Sequence, residues 1–74
     1  MTNIPKTTEC ILELKNNWLT IWFNRPNKRN ALSKRLLNEI GITLSSIEND
    51  RSIRGIIFRG KNKVFCSGMD LEEI

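Results

Sequence analysis

The sequence predicts an α/β chain, a β-hairpin leading into a βαβ unit. Three observations carry this. Two strand-like runs, residues 10–14 and 18–23, flank an Asn16-Asn17 step. Leu36, Leu37, Ile40, Leu44 and Ile47 recur at three- and four-residue steps, as on one buried face of a helix. Ile56-Ile57-Phe58 is an unbroken apolar run. Alternation would leave one face polar, so such a run predicts a strand covered on both faces and parallel to a neighbour.

The elements follow in order. Residues 1–8 read as a polar arm. Residues 9–23 form the hairpin, because Asn tolerates the left-handed conformations a tight turn needs and Trp18-Leu19-Thr20-Ile21-Trp22-Phe23 is rich in strand formers. Residues 24–30 are a loop, since Pro26 has no amide hydrogen to continue a central strand. Ser33 is an N-cap candidate, and the helix spans residues 33–49 with Asn49-Asp50 at its end. Gly41 weakens it by roughly 1 kcal/mol relative to Ala. Residues 53–59 are the third strand, and the intervening helix predicts a right-handed crossover. Residues 60–70 are a loop. Asp70 with Glu73 three residues on reads as a capping box, opening a second helix over residues 71–74. A two-sided strand with one helix to cover it, and a newly capped helix, read as the opening of a larger α/β domain.

Composition narrows the partners. The chain has 74 residues, enough for one small domain. It carries 12 basic and 8 acidic residues, a net +4 that suits nucleic acid, a membrane surface or a phosphate-bearing small molecule without choosing among them. With no histidine, a Ser-His-Asp or Cys-His pair within this chain is excluded and the commonest metal ligand is missing, so no metal is expected. Cys10 and Cys66 have no metal-like spacing. No secretory signal is visible, and no apolar run approaches the roughly 20 residues of a membrane span. Reduced thiols in the cytoplasm are the default expectation.

The richest local feature is Phe65-Cys66-Ser67-Gly68-Met69-Asp70-Leu71. Gly68 permits a backbone shape that a Cβ opposes. Amides that follow it at a helix start can hold an oxyanion or phosphate. A plain glycine turn into a capped helix explains the same residues. A basic loop, Arg25, Lys28 and Arg29, continues into Lys34 and Arg35, and Lys61 and Lys63 stand on the other loop. Both loops follow the C-terminal ends of strands, where ligands bind in α/β units. Phosphate recognition and a solvated surface are both open readings. Gly60-Lys61 lacks the spacing of a P-loop. Asp70, Glu72 and Glu73 suit the first turn of a helix as dipole partners. Trp18 and Trp22 lie on one strand face and read as packing residues.

Three segments together resemble the crotonase (enoyl-CoA hydratase/isomerase) superfamily. Asn24-Arg25-Pro26-Asn27-Lys28-Arg29-Asn30-Ala31-Leu32-Ser33 after a strand is similar to its N-R-P, basic pair and N-A-L pattern. Residues 50–60 resemble its aspartate, Arg-containing third strand and closing glycine. Residues 65–71 resemble its F-C-A-G-A-D-L signature. The resemblance implies the N-terminal segment of a crotonase-like (ClpP/crotonase) spiral fold, truncated here. It implies binding of an acyl-coenzyme A thioester, with no cofactor beyond the coenzyme A of the substrate. The backbone N–H of Met69 becomes one of two oxyanion donors. Ser67, Gly68, Met69, Asp70 and Leu71 line the adenine and pantetheine path, making residues 60–70 a coenzyme A and oxyanion loop. Lys28, Arg29 and Ala31 lie near the nucleotide end.

Met69 and Ser67 depart from the family's common alanines, and the longer Met69 side chain is placed to reshape the acyl pocket. The family's second oxyanion amide and two catalytic glutamates lie beyond the region matched, and Glu72 and Glu73 do not replace them. Lyase or isomerase activity is therefore expected of an intact parent and not of this chain alone. Intact members associate as trimers or hexamers. The expected function is the acyl-CoA-binding N-terminal part of such a protein. The alternatives are an inactive remnant of that family and, more remotely, a small basic nucleic-acid-binding protein.

Overall fold

Asn16 and Asn17 both adopt positive φ, 53° and 68°. This is the backbone of a two-residue hairpin turn whose twist matches that of its strands. It joins β1 (Cys10–Lys15) to β2 (Trp18–Phe23), antiparallel, with Lys15 opposite Trp18 and Cys10 opposite Phe23. The computed structural model describes residues 4–73. Residues 1–3 of the expected arm, and Ile74 of the expected last helix, lie outside the described residues.

Helix α1 (Lys34–Ile47) begins at Ser33, which is extended and whose side-chain oxygen accepts the Leu36 N–H at 3.0 Å. Strand β3 (Gly55–Gly60) then returns parallel to β2. The sheet order is β1-β2-β3. This is a hairpin joined to a βαβ unit, the α/β architecture the sequence predicts.

Period two along β2 sorts its side chains. Leu19, Ile21 and Phe23 are buried and meet Cys10, Leu36 and Ile47 in one core. Leu12, Leu32, Ile40, Ile53 and Cys66 pack around its margin. Each fully buried aliphatic side chain contributes about 1.5–3 kcal/mol. Trp18, Thr20 and Trp22 point to the opposite face.

Three expectations are corrected. The inward helix stripe is Leu36, Ile40, Thr43 and Ile47, while Leu37 and Leu44 face outward. Thr43 fits the inward phase of a 3.6-residue period and Leu44 lies about 100° further round. The buried Thr43 hydroxyl donates to the Glu39 carbonyl at 2.8 Å, so the polar residue is satisfied there. Second, β3 begins at Gly55, because Ile53 is held in a turn by its N–H bond to the Asp50 carbonyl. This strand is an edge, and Ile56, Ile57 and Phe58 remain about two-fifths exposed among the described residues. Third, Glu73 does not close a capping box. Its carboxylate accepts the Lys34 N–H at 2.7 Å, at the start of α1, and Leu71–Glu73 is a single 3-10 turn.

Candidate functional site

Because β2 and β3 are parallel, the loops that follow them leave the same end of the sheet. Residues 24–33 and 61–70 are then stitched by backbone hydrogen bonds. The Leu32 N–H donates to the Gly68 carbonyl at 2.7 Å, and the Asp70 N–H donates to the Leu32 carbonyl at 3.0 Å. Leu32 and Met69 thus form a parallel bridge. The Ser67 N–H adds a bond to the Arg29 carbonyl at 3.1 Å.

The bridge determines where the Met69 amide points. In a parallel pair, the residue between the two bonded neighbours turns its own N–H and C=O outward. The Met69 N–H has no acceptor among the described residues, and its side chain is half exposed. Gly68 precedes it at φ +111°, with open space where a Cβ would stand. Glycine is required there by conformation and not by crowding. A single 3-10 turn follows, too short to supply a helix dipole, so the amide is presented by the bridge and the glycine.

Buried polar groups hold the loops in this arrangement. Asn30 is fully buried at φ +57°. Its Oδ1 accepts the Arg25 N–H at 2.8 Å, and its Nδ2 donates to the carbonyls of Lys61 at 3.0 Å and Val64 at 2.5 Å. Gly60 allows the chain to fold back here, since a Cβ would stand 2.1 Å from the Val64 carbonyl oxygen. Arg25 is also turned inward. Its guanidinium donates to the Ala31 carbonyl at 2.5 Å, meets Asp70 at 2.9 Å and Glu9 at 3.2 Å, and approaches Glu73 at 4.0 Å. The hydrogen bond from Arg25 holds the Asp70 carboxyl below its ordinary range. The Ser33 hydroxyl donates to Glu9.

The sequence-predicted residues divide by what they touch. Lys28 is exposed and paired to Glu72 at 2.9 Å, a contact that raises its pKa. Arg29 is exposed in a left-handed conformation, and Ala31 is buried. Ser67 and Gly68 are exposed, and Leu71 is 78% exposed. The Asp70 carboxylate is committed to Arg25 and to the Glu72 N–H at 3.1 Å. The basic residues do not gather into one cluster. Arg25 serves the loop interior, Lys28 pairs with Glu72, and Arg59 and Lys61 stand over the Trp22 ring. Cys10 and Cys66 are free thiols, and burial pushes the Cys10 pKa up.

Glu39 was not legible in the sequence as a structural residue. Its carboxylate accepts the N–H groups of Thr8, Glu9 and Cys10 at 3.0, 2.9 and 3.1 Å and the Thr8 hydroxyl at 2.8 Å. Burial opposes its charge, but these donors prevail and hold its pKa below the usual carboxylate value. Its partners lie about 30 residues away, and no local pattern announces them.

The described residues enclose no pocket, and their Cys, Asp and Glu side chains form no group that could hold a metal. None of their helices is long and apolar enough to cross a membrane. Residues 13–74 match the family described as enoyl-CoA hydratase/isomerase. The chain is 32% identical to the enoyl-CoA hydratase EchA19 of Mycobacterium tuberculosis over 97% of its own length and 27% of that protein's. It is 46% identical to 4-chlorobenzoyl coenzyme A dehalogenase-2 of an Arthrobacter species, over 74% of this chain and 20% of that one. A crystal structure of an enoyl-CoA hydratase/isomerase from Marinobacter aquaeolei superposes with a TM-score of 0.81 at 42% identity, covering 86% of this chain and 24% of that one. The chain thus spans about a fifth to a quarter of the length of these relatives.

Proposed function

The chain belongs to the enoyl-CoA hydratase/isomerase family, and we propose that it forms the acyl-coenzyme A-binding N-terminal part of such a protein. The observation that carries this is the Leu32–Met69 bridge, which turns the Met69 N–H outward beside Gly68. In this reading that N–H donates to the thioester oxygen. As the oxygen gains charge in an enolate-like transition state, a fixed amide stabilises it without reorganising. Removal of one such donor typically costs about 100- to 1000-fold in rate.

The relatives support the substrate class more than any one reaction. One is named for hydration of an enoyl-CoA and another for dehalogenation of an aroyl-CoA. The shared group is the coenzyme A thioester. Residues 67–71 line the pantetheine and adenine path in this reading, and Lys28, Arg29 and Ala31 face the nucleotide end. Asp70 serves through the backbone it holds in place. The half-exposed Met69 side chain borders the acyl group and narrows its choice. Glu72 and Glu73 are engaged with Lys28 and with the Lys34 amide, so proton transfer is assigned to carboxylates outside these residues. A reducing cytoplasm suits the two free thiols, and self-association into trimers or hexamers goes with the family reading.

The test is crotonyl-CoA hydration by the purified 74-residue chain, with heat-denatured chain as blank. The expected result is no hydration above the blank. Turnover near that of ordinary hydratases would overturn the assignment of proton transfer to groups outside these residues.

A further inference from the structure

A second cationic feature lies on the sheet face away from α1. Trp22 stands directly opposite Arg59 in the β2–β3 register. The Arg59 guanidinium carbon is 4.6 Å from the Trp22 ring centroid, and Lys61 Nζ is 3.9 Å from it. The negative face of an indole attracts a cation. Here two cations stand against one ring, and so within the roughly 10 Å of each other over which exposed charges interact at 0.1 M salt. Neither cation has a carboxylate within ion-pair distance among the described residues, unlike Arg25 and Lys28. Glu13 sits on the β1 side of the ring and accepts the Trp22 Nε1–H at 3.4 Å. That contact orients the indole and leaves both cations uncommitted.

We propose that Trp22, Arg59 and Lys61 form an anion site for a phosphate or diphosphate group. The ring sets the positions of the two cations, whose mutual repulsion a bridging dianion relieves. The guanidinium offers a planar fork to phosphate oxygens and the ammonium a point charge. The backbone beneath is fixed, because the Lys61 carbonyl accepts from the buried Asn30 Nδ2 at 3.0 Å. The site lies at the C-terminal ends of parallel strands, where α/β units place ligands. It does not depend on the Met69 reading, since neither set of residues contributes to the other.

The test follows the Trp22 indole N–H by NMR in the full chain at low salt, with the resonance assigned by its loss in Trp22→Phe. Pyrophosphate, coenzyme A and pantetheine, which has no phosphate, are titrated in turn. Pyrophosphate is expected to shift the resonance saturably, with affinity weakened at least about tenfold in Arg59→Gln and in Lys61→Gln, the loss of one charge-assisted contact. Thermal melts of both variants check that the fold persists. A saturable shift with coenzyme A as well identifies a nucleotide-borne phosphate as the source, and a shift with pyrophosphate alone identifies a free anion. A shift that never saturates, or one unchanged in Lys61→Gln, overturns the site. A response to pantetheine equal to that of coenzyme A also overturns it.

Discussion

The Arg25 guanidinium meets the Asp70 carboxylate at 2.9 Å, tying the loop after β2 to the loop after β3. Both side chains are nearly buried, and Arg25 also holds the Ala31 carbonyl and Glu9. Arg25→Leu removes these donors and leaves acceptors unpaired. The variant is expected to melt at least about 5 °C lower, the effect of one lost hydrogen bond in a domain this small. Calorimetry or circular dichroism reads the shift. An unchanged melting temperature would show that the loops are held without Arg25.

Acid should loosen the same contact. The Asp70 pKa is lowered by its bond from Arg25, and the Glu39 pKa is lowered by its amide donors against the cost of burial. A carboxyl with a depressed folded pKa contributes stability above its unfolded value, about 4. That stability is lost as pH falls through the lower folded value. Denaturation midpoints should therefore hold steady from pH 7 to about 5 and decline below about 4. In Asp70→Asn the decline should be shallower. An equal slope in both proteins would remove Asp70 from the account.

Glu39 anchors the segment that enters β1. In Glu39→Gln the amide protons of Glu9 and Cys10 should exchange with solvent at least about tenfold faster, as charge-assisted bonds become neutral ones. The amides of β2, held on both sides, should be unaffected. Unchanged protection at Glu9 and Cys10 would refute the anchoring role.

The hairpin was legible because Asn16-Asn17 between strand formers has one economical conformation. Ser33 was legible because an N-cap is a local contact. The helix stripe was misphased at Leu37 and Leu44, since hydrophobicity alone cannot reveal that Thr43 satisfies its hydroxyl within the helix. Arg25 read only as part of a basic loop, open to phosphate or to solvent, because its charge is visible in the sequence, while Glu9, 16 positions earlier, and Asp70, 45 positions later, are not visibly its partners. Gly68 and Met69 were legible as a turn, but the bridge from Leu32 that aims the amide is a tertiary contact.

Gly60 and Gly68 should fail differently. Gly60→Ala drives a Cβ into the Val64 carbonyl and the Phe65 backbone, and should destabilise by at least about 1–3 kcal/mol, as overpacking does. Gly68→Ala meets open space but must hold φ near +111°, at a cost of order 1–3 kcal/mol or a relaxed turn. Chemical denaturation gives both losses, and acyl-CoA binding should fall further in Gly68→Ala than its stability loss explains. Equal binding in wild type and Gly68→Ala would separate the turn from ligand recognition.

The most direct test of the central claim is the Met69 amide itself, observed by NMR in the full chain as crotonyl-CoA is added. A hydrogen bond to the thioester oxygen should move the Met69 amide proton downfield in a saturable way. The thioether analogue, which has no carbonyl, should leave it in place. A Met69 resonance that stays still while crotonyl-CoA binds would contradict the assignment of this amide as the oxyanion donor.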